Sequence, residues 1–306
     1  MGRTAVYTFT DKYMLPAACC ALLSVARHSR DRDLGQVIVG IDLSPEHKAS
    51  VAAFNARHGS SITIVDFTLP TDLPEASGRW TKATLARLYI DEIIDESIDR
   101  VLYIDADVLV VDPIDAIFQS DLRGNVIGAV DDYVTAFPDK AKKRELKLGL
   151  KHGPRYFNAG VILLDSTAVR TTGLFKRARE LLQSGERYDA NDQDVLNIAF
   201  QGAWEPLNPR WNVQTGIMPF VRDPVIVHFT GRRKPWQSSI RWMHTPYAYE
   251  YRQMLLQTSW AEFVKERRMQ RKIADLLLSL GGYLGGVYRA GKVKAYFGDQ
   301  RRLPDA

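Results

Sequence analysis

The chain has 306 residues, of which 45% are hydrophobic and 25% charged, a composition typical of globular proteins that excludes collagen, coiled-coil and disordered classes. A chain of this length can bury a large core without disulfides, and its two cysteines, Cys19 and Cys20, are adjacent and form no Cys-x-x-Cys motif, which excludes a zinc ribbon. The net charge of +5 lies entirely in residues 246–306, which hold 11 Lys or Arg against 6 Asp or Glu, and the neutral remainder argues against a nucleic-acid-binding protein.

No apolar stretch of signal-peptide length follows Met1, so a cytoplasmic location is expected.

Strand-like and helix-like segments alternate along the first two thirds of the chain. The alternation predicts an α/β fold with a Rossmann-like, mostly parallel sheet flanked by helices, in which ligands bind beyond the carboxyl ends of the strands. The predicted strands are 4–10, 36–41, 60–67, 100–104, 125–130 and 157–164, and the predicted helices include 15–28 and 81–94.

Two segments do not follow this alternation. Residues 131–155 are polar and rich in lysine, and their length predicts a lid or binding loop. Residues 204–246 are rich in Pro, Trp and Gly, and they are expected to form the irregular wall of a pocket. Both segments are therefore candidates for contact with a substrate.

The last segment, residues 246–306, is predicted as a basic helical tail that follows a domain of residues 1–245. Within the tail, Ile273–Tyr288 contains one charged residue and is shorter than the roughly 20 residues that span a bilayer. Basic clusters flank it at Arg267–Lys272 and Arg289–Lys294. Two interpretations stay open: the tail lies on an anionic membrane surface, or it packs on the body of the protein.

The strongest local signal is a pair of aspartates, Asp105 and Asp107, inside an apolar run. Side chains two residues apart lie on the same face of a strand, and both carboxylates are expected to reach one ion where the strand ends and the backbone turns. The apolar flanks predict burial of both carboxylates, which then need a compensating charge such as a hard divalent cation. The same triplet at Asp31–Asp33 lies in a polar loop and receives no role.

Further motifs follow in order along the chain. They are Phe157-Asn158-Ala159-Gly160-Val161, Asp192-Gln193-Asp194-Val195-Leu196-Asn197 and His228-Phe229-Thr230-Gly231-Arg232-Arg233-Lys234-Pro235-Trp236. With the aspartate pair and Thr8–Tyr13, this series resembles that of family 8 glycosyltransferases, which include glycogenins and bacterial lipopolysaccharide galactosyl- and glucosyltransferases. The resemblance extends over residues 7–242 and implies a GT-A fold and a retaining transfer of sugar.

The resemblance also implies a metal and a donor. In the family, the aspartate pair and a later histidine bind Mn²⁺ or Mg²⁺, which bridges the diphosphate of a nucleotide sugar, and the matching residues here are Asp105, Asp107 and His228. A mixed oxygen and imidazole ligand set suits Mn²⁺ better than Ca²⁺. The donor, a UDP-sugar, is expected to contact Thr8, Phe9, Thr10, Tyr13, Arg87, Ala106, Asn158, Ala159, Asp192, Gln193, Gly231 and Lys234.

The resemblance places three residues at the reacting sugar. Gln193 matches the family residue on the face where a retaining hydrolase carries a carboxylate nucleophile. Because an amide is a poor nucleophile, front-face displacement is favoured, with Gln193 stabilising the positive sugar, and covalent capture by Asp194 stays open. Asp131 or Asp132 matches an acidic position that binds sugar hydroxyls, and the spacing from Gly128 favours Asp132.

The sequence thus implies a metal-dependent retaining transferase that moves glucose or galactose from a UDP-sugar to a saccharide acceptor, such as lipopolysaccharide or another glycolipid or glycan. The acceptor is expected to dock on residues 131–155 and 204–219, and a lipid-linked acceptor would suit a tail at the inner membrane face. Two alternatives remain, namely a nucleotide-sugar-binding protein without turnover and a self-glycosylating, glycogenin-like primer. A phosphoryl transferase lacks support because the sequence has no P-loop and no GxGxxG.

Overall fold

A computed structural model describes residues 2–70, 81–151, 153, 155–184, 188, 191–265, 273, 277 and 289–298. Within these residues, a seven-stranded sheet forms the centre of the molecule, and apolar clusters on its two faces hold the flanking helices. Its strands are β1 Thr4–Thr10, β2 Gly35–Ile41, β3 Thr63–Phe67, β4 Arg100–Ile104, β6 Ile127–Asp131, β7 Phe157–Asp165 and β8 Trp204–Pro206. The predicted α/β fold with a mostly parallel sheet is confirmed.

The direction of one strand decides where the polar motifs meet. The strand order is β3-β2-β1-β4-β7-β6-β8, and β7 runs antiparallel to both of its neighbours while the other pairs are parallel. Because β7 is reversed, its first residues lie at the edge of the sheet where β4 and β6 end. The register pairs Ile104 with Val161, so Asp105 lies opposite Gly160.

A smaller sheet continues the chain beyond β4. It contains β5 Val108–Val110, β9 Val213–Gln214 and β10 Ile226–His228, in the order β5-β10-β9. In the antiparallel ladder of β10 and β5, His228 pairs with Val108. His228 therefore lies next to Asp107, although 121 positions separate them in the chain.

Helices cover both faces of the main sheet. The α-helices of the described residues are α1 Leu15–His28, α2 Pro45–His58, α3 Lys82–Ala86, α4 Ile90–Ile93, α5 Pro138–Leu148, α6 Ser166–Thr172, α7 Leu174–Gln183, α8 Asn191–Ala199, α9 Thr245–Leu255 and α10, residues 289–298. One apolar cluster joins α1, α2, the smaller sheet and α9, and the other joins α3, α4, α6, α7 and α8. Cys19 and Cys20 lie fully buried in α1, where burial raises the pKa of both thiols.

Two predicted segments differ from the structure. Residues 131–155 contain the eleven-residue helix α5 rather than a continuous loop, because Lys, Glu and Leu favour helix, Pro138 fits its first turn, and Gly149 ends it at a φ of 61°. The predicted helix 81–94 is instead divided into α3, a 3-10 turn at Arg87–Tyr89, and α4. Such an interruption places Arg87 where the helix pattern changes, a frequent position for functional residues.

Parts of the tail pack on the body of the protein. Tyr251 and Leu255 of α9 and Val293 and Phe297 of α10 are buried in the same apolar cluster as α1. Most of Ile273–Tyr288 lies outside the described residues. Among the described helices, none is long and apolar enough to cross a bilayer. The boundary at residue 245 and the membrane-binding role of the tail stay predictions.

Candidate active site

Three potential metal ligands converge at the edge of the main sheet. Asp105 follows β4 directly, Asp107 precedes β5, and His228 ends β10. His228 Nε2 lies 3.3 Å from Asp107 Oδ1 and 3.7 Å from Asp105 Oδ2, and one ligand atom of each residue lies within 4.8 Å of the others. We call these three residues the metal cluster.

The buried carboxylate charge of the metal cluster suits a divalent cation. Asp107 Oδ1 is buried and accepts no hydrogen bond from any described residue, whereas Oδ2 pairs with the Lys234 ammonium. A buried carboxylate oxygen without a donor is costly, and a cation removes that cost. Two carboxylates and one imidazole nitrogen therefore fit Mn²⁺ or Mg²⁺, with part of the coordination shell left for a substrate.

Arg87 connects the metal cluster to helix α8. Its guanidinium lies 3.0 Å from Asp105 Oδ1 and 2.9 Å from Asp192 Oδ2, and it donates to the Ala159 carbonyl at 3.2 Å. The Tyr103 hydroxyl also donates to Asp105 Oδ1. Burial alone would lower the pKa of Arg87, but the charges of Asp105 and Asp192 outweigh it and raise the pKa, so Arg87 is a permanent cation.

Two buried carboxylates of the site differ in how readily they ionise. Burial disfavours the charged form of Asp107, yet the ammonium of Lys234, together with the adjacent His228, outweighs that effect and holds the pKa of Asp107 well below its usual range. For Asp192, burial prevails over the attraction of Arg87, and with the nearby charge of Asp105 it raises the pKa to about 6. Asp107 is therefore ionised at neutral pH, whereas Asp192 titrates not far below it.

A second group of polar side chains lies at the start of β7 and consists of Asp132, Asn158 and Gln193. Asn158 Nδ2 donates to Asp132 Oδ2 at 3.3 Å and to Gln193 Oε1 at 3.2 Å. Gln193 Oε1 also accepts from the Ala159 N–H at 2.9 Å, and Gln193 Nε2 donates to Asp132 Oδ2 at 3.4 Å. We call these three residues the sugar cluster. The neighbouring Asp131 instead pairs with Arg155, so of the two aspartates it is Asp132 that lies in the cluster.

Helix α8 directs three successive side chains toward different partners. Successive helical residues point about 100° apart, so Asp192 faces Arg87, Gln193 faces the sugar cluster, and Asp194 accepts a hydrogen bond from the buried Tyr156 hydroxyl at 2.6 Å. Asp194 therefore lies on a different side of α8 from Gln193.

The predicted nucleotide-binding residues lie at the carboxyl end of β1 and after it. The hydroxyl of Thr8 is buried and has no hydrogen-bond partner among the described residues, and Thr10 Oγ1 donates to the Asp11 carbonyl at 3.0 Å. Phe9 points into the core, where its ring centroid lies 6.0 Å from that of Tyr103. Tyr13 is 71% exposed, which leaves its ring accessible for stacking.

The remaining predicted donor contacts surround the metal cluster. Ala106 lies buried between the two aspartates. Gly231 has a φ of 89°, a conformation that favours glycine. Lys234 holds both Asp107 and, at 2.6 Å, the Phe229 carbonyl.

Sequence reasoning missed two residues that contact this site. A Cβ atom on Gly160 would lie 2.2 Å from His228 Cε1 and 2.8 Å from Asp105 Oδ2, so only glycine leaves room for the metal cluster. Asn212 is fully buried, and its side chain bonds to both His228 and Asn158. Gly160 stands inside a recognised motif, but asparagine in a Pro- and Trp-rich segment is typical of turns and carries no such signal.

Comparisons with known proteins agree with these features. The family model for glycosyl transferase family 8 matches residues 4–239. The lipopolysaccharide 1,3-galactosyltransferase of Salmonella typhimurium is 30% identical over 268 residues, which cover 82% of this chain and 77% of that enzyme. The lipopolysaccharide 1,2-glucosyltransferase of Escherichia coli is 28% identical over 197 residues, covering 60% of this chain and 56% of that enzyme. A crystal structure of the galactosyltransferase LgtC with donor and acceptor sugar analogues has a TM-score of 0.71 at 26% identity, covering 85% of this chain and 99% of that one.

The family match includes every strand from β1 to β10 and all the residues of the metal and sugar clusters. The resemblance inferred from the ordered motifs is thereby confirmed, and the similarity to LgtC confirms the expected GT-A fold. The chain belongs to glycosyl transferase family 8 and is an enzyme that transfers sugars.

Proposed function

We propose that the enzyme is a metal-dependent retaining glycosyltransferase that moves glucose or galactose from a UDP-sugar to a saccharide acceptor on lipopolysaccharide or another glycan. The observation that carries the proposal is that the metal cluster lies beside the sugar cluster. Arg87 pairs with Asp105 and donates to the Ala159 carbonyl, and Asn212 bonds to both His228 and Asn158. The metal cluster suits a diphosphate, and the sugar cluster supplies carboxylate and amide groups for hydroxyls. The relatives named as lipopolysaccharide galactosyl- and glucosyltransferases support this class of acceptor and both hexoses.

Positive charge gathers where the diphosphate of the donor would lie. Asp105, Asp107 and His228 would hold Mn²⁺ or Mg²⁺, and a bound cation supplies neutralisation of the charge that develops on the leaving diphosphate. The Lys234 ammonium, already beside Asp107, adds a second positive charge at the same place. Gly231 lets the backbone approach a phosphate closely because it has no side chain there.

The sugar cluster supports front-face displacement. In this reaction the bond between the anomeric carbon and the phosphate oxygen breaks, that oxygen takes the proton of the acceptor hydroxyl, and the acceptor oxygen bonds to the same face of the sugar. Gln193 is held by Ala159, Asn158 and Asp132, which fixes its amide beside the developing positive charge. Asp194 would have to break its hydrogen bond to the buried Tyr156 to act as a nucleophile, so we favour Gln193 as the stabilising group.

UDP release provides the test. The purified enzyme is incubated with UDP-glucose or UDP-galactose and Mn²⁺, and we expect release of UDP that stops in EDTA and in Asp107→Asn. Asp66→Asn, which removes an exposed carboxylate paired with Lys48 at 2.6 Å, is the matched control and is expected to leave turnover unchanged. Full turnover by Asp107→Asn, or in EDTA, would contradict the proposal.

UDP release, binding of UDP-sugars and the mass of the protein together distinguish the two alternatives. A binding protein without turnover would be stabilised by UDP-sugars without releasing UDP, even when lipopolysaccharide fragments are added. A self-glycosylating primer would gain the mass of one or more hexoses on its own chain. The proposed enzyme releases UDP faster with acceptor and keeps its own mass.

The exposed lysines of α5, including Lys140, Lys143 and Lys147, suit an acceptor that carries phosphate or carboxylate groups.

A further inference from the structure

Asn212 lies outside the motifs that point to this site, yet it is fully buried between the metal cluster and the sugar cluster. Its backbone is held on both sides. The N–H of Asn212 donates to the Pro209 carbonyl at 3.2 Å, and its carbonyl accepts from the Gln214 N–H at 2.9 Å. Asn212 leads directly into β9, which pairs with β10, so its side chain has a fixed origin beside His228.

The orientation of the Asn212 amide follows from its neighbours. Asn158 Oδ1 accepts a hydrogen bond from the Gly160 N–H at 3.2 Å, which identifies that atom as oxygen. The Asn212 atom that lies 2.9 Å from it must therefore be the donor Nδ2, so Asn212 Oδ1 is the atom 3.0 Å from His228 Nδ1. Because an amide oxygen only accepts, Nδ1 of the imidazole carries a proton.

This arrangement determines what the other ring nitrogen can do. With Nδ1 occupied by Asn212, Nε2 is the ring nitrogen left to bind a cation, and it lies 3.3 Å from Asp107 Oδ1. The same amide group ties His228 to Asn158, which bonds to the other two members of the sugar cluster. A buried chain of hydrogen bonds thus connects the metal ligand to the sugar-binding side chains.

We propose that Asn212 is a positioning residue that holds His228 in the tautomer and orientation needed to bind the cation, and couples that orientation to Asn158. The inference rests on the proposed metal-dependent function. Hydrogen-bond partners of metal-binding histidines contribute about 10- to 100-fold to metal affinity. Asn212→Leu, which keeps the branched shape and the number of heavy atoms but removes both hydrogen bonds, is therefore expected to weaken Mn²⁺ binding by this factor.

The test measures Mn²⁺ binding to the full-length enzyme without donor, by the electron paramagnetic resonance signal of free Mn²⁺. Thr215→Val is the matched control. It removes a buried hydroxyl that bonds to the Thr230 carbonyl at 3.2 Å, and it lies close to the backbone of His228 rather than to its ring. We expect Thr215→Val to bind Mn²⁺ within about two-fold of the wild type. A loss equal to that of Asn212→Leu would show that any buried hydrogen bond in this region has the same effect, and would overturn the inference.

Asn212→Asp removes one of the two hydrogen bonds and keeps the other. It also provides a test if Asn212→Leu does not fold. A carboxylate still accepts from Nδ1 but cannot donate to Asn158. We expect Mn²⁺ affinity closer to the wild type than in Asn212→Leu, together with a lower kcat for UDP-sugar hydrolysis. Wild-type affinity in a folded Asn212→Leu, or equal losses of affinity in both variants, would refute the role in metal binding.

Nitrogen-15 NMR of histidine-labelled, metal-free enzyme reads the tautomer directly. The chain has six histidines, and His228→Gln identifies the signal of interest. A proton on Nδ1 is expected, and an Nδ1 without a proton would overturn the assignment of Asn212 alone. Failure of the wild type to bind Mn²⁺ would instead refute the proposed metal site and, with it, the role of Asn212.

Discussion

Gly160→Ala tests whether the spacing around His228 governs the site. The added Cβ would lie 2.2 Å from His228 Cε1, about 1.2 Å short of the 3.4 Å at which ordinary contact begins. The backbone of β7 is held close to β4, because the Gly160 carbonyl accepts a hydrogen bond from the Asp105 N–H at 2.8 Å. The imidazole must therefore move by about 1 Å. A displacement of this size costs about 100-fold in rate, and overpacking costs about 1–3 kcal/mol of stability.

The assay compares this variant with Gly128→Ala. A Cβ on Gly128, in β6 of the same sheet, would lie 2.7 Å from Leu122 Cδ2 and 3.0 Å from Leu207 Cδ2, which are side-chain ends outside both clusters. We expect urea unfolding to show a loss of stability in both variants, whereas only Gly160→Ala loses Mn²⁺ affinity and UDP-sugar turnover. Wild-type turnover in Gly160→Ala, or an equal loss in Gly128→Ala, would refute the reasoning.

Two further predictions concern α8. Gln193→Ala is expected to lower the rate by about ten- to a thousand-fold while UDP affinity changes little, since it removes one transition-state stabiliser, and a large loss of UDP affinity at an unchanged rate would show that Gln193 acts on the nucleotide. Folding raises the pKa of Asp192 from 3.8 to about 6, so the protonated carboxyl stabilises the folded state. This contribution to the free energy of unfolding, up to about 3 kcal/mol, is fully present below pH 4 and is lost as the pH rises through 6. Urea unfolding of the metal-free enzyme between pH 4.5 and 7.5 should show this decrease in the wild type and a flatter profile in Asp192→Asn, and parallel profiles would contradict it.

The sequence predicted those features that depend on local pattern. The strands β1 and β4 begin and end where the apolar, β-branched runs do, because such runs fit a buried sheet. The position of Asp105 and Asp107 at the end of β4 also follows from local sequence, since an apolar strand must stop where two carboxylates begin.

Features set by tertiary contacts were not predictable in this way. The reversal of β7 brings Asn158 to the edge where β4 ends, and no residue within β7 encodes its direction. Asn212 has partners 16 and 54 positions away, so no local spacing reveals it. The break of the helix at Arg87 likewise accompanies ion pairs with Asp105 and Asp192, which lie far along the chain.

The tail offers a final prediction, in which packing and membrane binding are measured separately. Phe297 is 1% exposed, so Phe297→Ala should lower the free energy of unfolding by about 3–5 kcal/mol, the range for a large side chain removed from a core. Replacing Arg267, Arg268, Arg271 and Lys272 by Gln removes four charges, each worth about 1 kcal/mol of attraction at an anionic surface.

If the tail lies on a membrane, the wild type and Phe297→Ala sediment with anionic vesicles at low salt, whereas the four-Gln variant does not and keeps its stability. Neutral vesicles are the control, since they supply no charge. Truncation after either Thr245 or Lys265 is not a substitute for these variants, because both cuts remove Val293 and Phe297 of α10, which belong to the core. The membrane interpretation would be refuted if the wild type did not sediment with anionic vesicles while Phe297→Ala was destabilised. The end of the chain would then stabilise the fold by packing on the body of the protein.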